Sequence, residues 1–238
     1  MTEKEFIEEV QKLGIMPTKE QLQQLEKFYR LLIEWNQKIN LTRITEKKDV
    51  YLKHFYDSLT IVKEIDLSKI DTLCDVGTGA GFPGIVLKIF YPNLKITLID
   101  SLLKRVNYLN EIIKELKLKD IKAIHIRAED YHETFDIVTA RAVANIEKLL
   151  KYTMHLLKPK GKLVAMKGNI EEELSSKVMN NINKKYKIIK INKFLLPKEN
   201  SKRSLVIIEK KDNRIIWKAI YQYIIESNHI VLCLFLLS

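Results

Sequence analysis

Asp75-Val-Gly-Thr-Gly-Ala-Gly-Phe-Pro-Gly84 is the stretch on which the reading of this chain turns. An apolar run, Ile70 to Val76, precedes it, a helix-like segment begins near Pro83, and a second apolar run, Lys95-Ile-Thr-Leu-Ile-Asp100, ends in an acid. Glycine lets a backbone turn sharply and come close to a ligand, and a helix behind the turn offers unpaired N–H groups. Strand, loop, helix, strand and terminal acid therefore make a nucleoside-binding half. Gly79, Gly81 and Gly84 also satisfy the G-x-G-x-x-G spacing of NAD and FAD sites, which carry an acid about 20 residues further on, so spacing leaves two ligand classes open. Asp75 favours one of them. A carboxylate at the end of the strand suits a cationic ligand such as S-adenosylmethionine and would crowd a pyrophosphate.

With 238 residues, 46% of them hydrophobic, the chain can bury a sizeable core as one domain with an appendage. Its net charge of +11, from 41 Lys and Arg against 30 acids, points to a polyanionic partner, of which nucleic acid is the natural candidate. Cys74 and Cys233 are far apart and lack a C-x-x-C or histidine cluster, so no metal site is expected, and Cys74 reads as a small core residue. The opening Met1-Thr-Glu-Lys-Glu-Phe6 carries acids and no apolar signal region, which suggests a cytoplasmic protein.

Residues 1 to about 67 have apolar side chains at helical spacing: Phe6, Val10 and Leu13, then Leu22, Leu25, Phe28 or Tyr29, Leu32 and Trp35. Thr18 with Gln21, after Pro17, forms a capping box for the second helix. From Ile70 onward short apolar strands alternate with amphipathic helices. Strands are expected at 121–126, 135–139, 161–166 and 204–209, and helices near 103–116 and 145–157. This alternation implies an α/β fold with a mostly parallel sheet wrapped by helices.

The chain resembles the bacterial small-subunit rRNA guanine-N7 methyltransferases (RsmG, formerly GidB). The resemblance is carried by Trp35-Asn-Gln-Lys-Ile-Asn-Leu-Thr42, His54-Phe-Tyr-Asp-Ser-Leu59, the glycine loop, Asp100-Ser with Lys104-Arg105, Arg127-Ala-Glu129, Thr139-Ala-Arg-Ala-Val-Ala144 and Ala165-Met-Lys-Gly168. It implies a Rossmann-like class I methyltransferase with a seven-stranded sheet over 68–211, an N-terminal helical extension over 1–67, and an atypical tail over 212–238. It also implies S-adenosylmethionine as donor, a guanine in the decoding region of 16S rRNA as acceptor, the rRNA or the small ribosomal subunit particle as partner, and a monomeric enzyme. Among the residues, Gly77, Gly79 and Phe82 would serve the cofactor's methionine and adenosine parts, beside Asp75, a cofactor-binding candidate on the charge argument above. Asp100 would hold its ribose hydroxyls, Ala128 and Glu129 its adenine end, and Arg141 the mouth of the pocket. Phe82 reads equally well as packing.

Guanine N7 carries a free lone pair and no proton, so in-line attack on a sulfonium methyl needs no general base and positioning should dominate. Consistent with this, the Asn/Asp-Pro-Pro-aromatic motif of exocyclic amine methylation is absent at Thr139-Ala-Arg141, and so is the Pro-Cys or Thr-Cys of pyrimidine C5 methylation. Arg141 and Lys167, near the C-terminal ends of expected strands, are the candidate catalytic, substrate-facing groups. Lys104, Arg105, Arg127, Lys167 and Arg203 are candidate RNA contacts. Lys104 and Arg105 begin a helix, where the dipole does not favour cations. His54 and Asp57, three apart, read as structural, with Asp57 or Ser58 capping the next turn. Trp35, Asn36 and Asn40 either touch RNA or anchor the N-terminal helices.

Family-like sequence stops after Lys211. The usual basic, proline-rich ending is replaced by Ile215-Ile-Trp-Lys-Ala-Ile-Tyr-Gln-Tyr-Ile-Ile225 and Ile230-Val-Leu-Cys-Leu-Phe-Leu-Leu-Ser238. The last apolar run is under half the roughly 20 residues that span a bilayer, so no membrane anchor is expected. An added helix, an aggregation-prone extension and a shifted reading frame all account for the change. The frameshift is the favoured hypothesis, and an intact genomic frame shared by close relatives would overturn it.

Overall fold

The structure, a computed structural model, describes residues 1–171 and 173–211. The expectations for the tail therefore lie outside the described residues.

Two amphipathic helices open the chain, α1 (Glu3–Lys12) and α2 (Lys19–Ile39). The capping box is formed as expected: Gln21 N–H donates to Thr18 Oγ1 at 3.2 Å and Thr18 N–H to Gln21 Oε1 at 2.9 Å. Gln21 then uses its amide to donate to Ile89 O, tying the start of α2 to the sheet-bearing half. A continuous helical tract follows: α3 (Lys47–Val50), a π-helical stretch over Tyr51–Tyr56, α4 (Asp57–Leu59) and a 3₁₀ turn over Thr60–Lys63. Trp35 meets Tyr108 edge to face at 5.8 Å, Asn36 Oδ1 accepts from Thr42 N–H, and Asn40 ends α2 in the left-handed conformation. Of the two readings for these residues, anchoring is the one the contacts support.

The remaining elements are β1 (Thr72–Val76), α5 (Gly84–Phe90), β2 (Lys95–Asp100), α6 (Leu103–Glu115), β3 (Ile121–His125), β4 (Phe135–Arg141), α7 (Ile146–Thr153), β5 (Leu157–Lys167), α8 (Ser176–Lys185), β6 (Lys187–Leu195) and β7 (Lys202–Glu209). They build one seven-stranded sheet in the order β3-β2-β1-β4-β5-β7-β6. The first five strands pair in parallel, and β7 is antiparallel to both β5 and β6. The sequence reading missed α8 and β6, and it ended its second late helix where β5 begins.

Both faces of the sheet are covered, as the strand period of two requires when neither face meets water. On β5, Val164 and Met166 face the same core as α2 and the helical tract, while Leu163 and Ala165 face the core beneath α7. Phe6, Leu25, Phe28, Leu32 and Phe55 from the N-terminal segment share the first core with Leu73, Ile85 and Leu98 of the sheet-bearing half. Phe28 stacks on Phe55 at 5.7 Å and lies 5.3 Å from Phe82, so this shared core reaches the glycine loop.

This topology places the site. Strand order reverses between β1 and β4, and the crevice of an open α/β sheet opens at that switch, beyond the strands' carboxyl ends. Arg141 is the last residue of β4 and Lys167 the last of β5, while antiparallel β7 brings Arg203 to the same edge from its beginning. Register confirms the neighbourhood, with Arg141 opposite Met166 and Lys167 opposite Ser204.

Candidate functional site

The glycine loop is organised from below. Asp75 is fully buried, and its carboxylate accepts from Thr78 Oγ1 at 2.6 Å, Gly84 N–H at 2.9 Å and Thr139 Oγ1 at 3.1 Å. Burial pushes its carboxyl up to about 6 against these bonds, which favour the charged form. Asp75 lines neither cavity at the crevice, so the expectation of a direct contact with a cationic ligand is corrected: its oxygens are spent on shaping the loop. Gly77, Gly79 and Gly81 all have positive φ, the conformation that favours glycine.

Two cavities meet at this loop. One of about 230 Å³ is bordered by Ile99, Asp100, Ile126, Arg127, Ala128, Glu129 and Tyr152. The other, about 630 Å³, is bordered by Gly79, Phe82, Lys53, His54, Asp57, Arg141, Lys167 and Arg203 among others. Gly77 and Val143 belong to both. Apart from Asp75, Lys104 and Arg105, the sequence-expected residues thus divide between the smaller cavity, the end where a nucleoside was expected, and the larger, the end where an acceptor was.

At the nucleoside end Asp100 Oδ2 accepts from Gly79 N–H at 3.0 Å and Oδ1 from Leu102 N–H at 2.9 Å, while Arg105 Nη1 approaches Oδ2 at 3.3 Å. A carboxylate offers about four acceptor sites, so one remains for a ribose hydroxyl, and the partly exposed Arg105 contact is the first that would yield another. Arg105 at the start of α6 is thereby explained by its acid partner, whereas Lys104 beside it is exposed. A carboxylate facing a cavity walled by Ile99, Ile126 and Ala128 suits an adenosine group. Above Gly79 an added Cβ would meet nothing closer than 3.9 Å, which leaves room for a ligand to approach.

At the acceptor end Arg141 donates from Nη1 to Lys53 O at 3.0 Å and to Asp57 Oδ2 at 3.2 Å. Its Nη2 lies 3.2 Å from His54 Nδ1, and its guanidinium stands 5.1 Å from the Phe82 ring centre. His54 Nδ1 also lies 3.1 Å from Lys53 O, and its Nε2 lies 3.0 Å from Thr42 Oγ1, so both ring nitrogens have partners. Burial and the Arg141 charge pull the His54 imidazole down to about 3, so it is neutral at pH 7 and has no free nitrogen to act as a base. His54 also stacks on Phe82 at 4.4 Å, so Phe82 both packs and borders the site.

Two further expectations change here. Neither Asp57 nor Ser58 caps the next turn: Asp57 pairs with Arg141 and Arg203, and Ser58 Oγ donates to His54 O. Lys167 borders the larger cavity, but its ammonium is engaged within the protein. Its Nζ donates to Ala144 O and to Glu173 Oε2 at 2.9 Å, its side chain is 8% exposed, and Glu173 in turn accepts from Ile146 N–H. Lys167 is thus a strut that holds the Ala142–Asn145 loop against the start of α7. Glu173 had no readable signal in the sequence; Val143 lay within the Thr139–Ala144 motif without being singled out, and for Asp57 the three-residue spacing from His54 was the signal.

The sequence model of the family GidB, rRNA small subunit methyltransferase G, matches residues 21–206. The chain belongs to this family. Relatives named ribosomal RNA small subunit methyltransferase G include one from Bacillus pumilus, 43% identical over 220 residues with 89% of this chain and 91% of that protein covered. Another, from Bacillus subtilis, is also 43% identical over 220 residues, covering 90% and 92%. Among solved structures, a SAM-dependent methyltransferase from Aquifex aeolicus superposes with a TM-score of 0.53 at 19% identity, covering 74% of this chain and 97% of that one. The O-methyltransferase segment of StiE gives 0.52 at 14% identity, covering 64% and 72%. These likenesses show the Rossmann-like class I fold. Membership of the GidB family also removes the oxidoreductase reading that glycine spacing had left open.

Proposed function

We propose that this chain transfers a methyl group from S-adenosylmethionine to N7 of a guanine in the decoding region of 16S rRNA. The observation that carries the reading is a pair of adjoining cavities: one bordered by the carboxylates of Asp100 and Glu129 meets, across Gly77 and Val143, a larger one lined by arginines and by a histidine that stays neutral at pH 7. When bound, S-adenosylmethionine supplies an electrophilic methyl on a sulfonium centre.

In this reading Asp100 holds the ribose, Ala128 and Glu129 border the adenine, and Gly77, Gly79 and Phe82 border the methionine end. Asp75 contributes indirectly, by setting the loop. Arg141 and Arg203 orient the guanine and its phosphate, which is what a reaction without a base needs. Arg127, on the border of the smaller cavity, and exposed Lys104 contact RNA phosphates, and the net charge of +11 adds a salt-dependent attraction to rRNA. The acceptor is 16S rRNA, alone or in the small-subunit particle, and the enzyme works as a cytoplasmic monomer. No helix among the described residues is long and apolar enough to cross a membrane.

The test is transfer of labelled methyl from S-adenosylmethionine to 16S rRNA from cells lacking the mark, followed by chemical cleavage at 7-methylguanine. Label with one cleavage site is expected. Label without cleavage would refute the N7 assignment, and no label would refute the activity.

A further inference from the structure

Two cations from different strands converge on one buried acid of the N-terminal segment. Asp57, 5% exposed, directly follows the π-helical stretch. Its Oδ2 accepts from Arg141 Nη1 at 3.2 Å and its Oδ1 from Arg203 Nε at 3.0 Å, so each oxygen fixes one arginine. Arg141 Nη1 also donates to Lys53 O and its Nη2 lies against His54 Nδ1, while Arg203 Nη1 donates to Lys202 O. Among the described residues this leaves Arg141 Nε and Arg203 Nη2 without a protein acceptor, on two side chains that line the larger cavity.

The arrangement has two consequences. Two guanidinium groups brought together without an acid between them would repel, and each would swing toward the nearest phosphate. With Asp57 present the trio carries one net positive charge, and the planar forks are held in fixed orientation. The acid comes from an element outside the nucleotide-binding half, and that half does not need it to form the adenosine cavity.

We propose that Asp57 is a positioning residue for the transfer: it sets Arg141 and Arg203 as a clamp aimed at the acceptor nucleotide and restrains them from binding phosphate in unproductive poses. This rests on the activity proposed above. Asp57→Asn keeps the shape, removes the charge and turns an amide donor toward one guanidinium.

Three quantities are measured on the full chain: kcat for methyl transfer to 16S rRNA, S-adenosylmethionine affinity by calorimetry, and affinity for a 16S rRNA fragment without cofactor. Loss of orientation lowers kcat by about tenfold or more, cofactor affinity stays within about twofold, and RNA affinity rises by about twofold or more because a negative charge has left the site. Slower transfer with tighter RNA binding is not what a damaged fold produces. Arg203→Gln frees one Asp57 oxygen from the opposite side and leaves the helical tract intact. In the double variant kcat should match that of the slower single variant within about twofold, because both act through one unit.

A kcat within about twofold of wild type, RNA binding unchanged or weaker, or independent multiplication of the two effects would each overturn the proposal. Where the unaltered chain itself transfers no methyl, the activity reading falls, and the RNA affinity of Asp57→Asn alone then decides the clamp.

Discussion

Replacing Gly77 with alanine separates two costs that usually travel together. Gly77 sits at φ +64°, and a Cβ there would lie 2.8 Å from Val143 Cγ2, about 0.6 Å inside the 3.4 Å where ordinary contact begins. The backbone cost is that of an L-residue in the left-handed region, roughly 1–2 kcal/mol. The steric cost to stability is smaller, because Val143 is 38% exposed on a loop and can move outward. The two together predict a loss of about 1–2 kcal/mol, or a drop of roughly 2–8 °C in Tm for a chain of this size.

Ligand binding responds differently. Val143 borders both cavities, so a side chain pushed off Gly77 shifts the wall between them, and even about 1.4 kcal/mol lost there weakens S-adenosylmethionine tenfold. Gly77→Ala combined with Val143→Ala removes the overlap and leaves the φ cost. Cofactor affinity should then recover toward that of Val143→Ala while Tm stays low. Urea or thermal denaturation and calorimetric titration of the three variants read both quantities. If stability and affinity recover together, or neither changes in Gly77→Ala, the assignment of Val143 as the wall over Gly77 is wrong.

Asp100→Asn turns an amide N–H toward one of two donors, Gly79 N–H or Leu102 N–H, and should weaken cofactor binding by roughly tenfold or more, since an unpaired buried donor costs about 1–3 kcal/mol; titration checks it. Arg141→Lys keeps the charge and loses the fork to Asp57, Lys53 O and His54. Transfer kcat should fall by about tenfold or more with cofactor affinity retained, and steady-state kinetics on 16S rRNA would show otherwise. Two buried groups pull stability in opposite directions as pH falls. His54 protonates near 6.5 when unfolded but only near 3 when folded, so below 6.5 it costs up to about 1.4 kcal/mol per pH unit. Asp75 takes its proton near 6 when folded and near 3.8 when unfolded, so it adds stability as pH drops through that window. His54→Asn should therefore lose less stability than the unaltered chain between pH 7 and pH 5 in urea titrations, and equal losses would refute the buried neutral imidazole.

The nucleotide-binding half was readable because its signals are local. Glycines at positive φ, an acid at a strand end and the Thr18–Gln21 box each act within a few residues. β6 was hidden because Lys187, Lys190 and Lys193 are exposed along the sheet's edge, where charge protects against unwanted pairing and dilutes the apolar alternation. Asp75 was placed at the right end of the right strand, but sequence does not say whether a carboxylate there points up at a ligand or down into the loop. The acceptor end was legible only as a set of basic residues. Which of them are committed depends on partners far away in the chain, as with Asp57 for Arg203, and Glu173 for Lys167 lay in a segment with no period to read. The π-helical stretch that presents His54 has no sequence signature of its own.

β7 carries a consequence for the order in which the molecule is completed. It lies inside the sheet between β5 and β6, and β6, made earlier, pairs among the described residues only with β7. A chain emerging from the ribosome through Leu195 would hold its five parallel strands and the adenosine cavity, with β6 still lacking a place and Arg203 still absent. The bond from Asp57 to Arg203 joins residues 146 positions apart, so the acceptor end closes last. The residues that border the smaller cavity all precede β5, so they are complete in the chain well before Arg203 arrives to finish the border of the larger one.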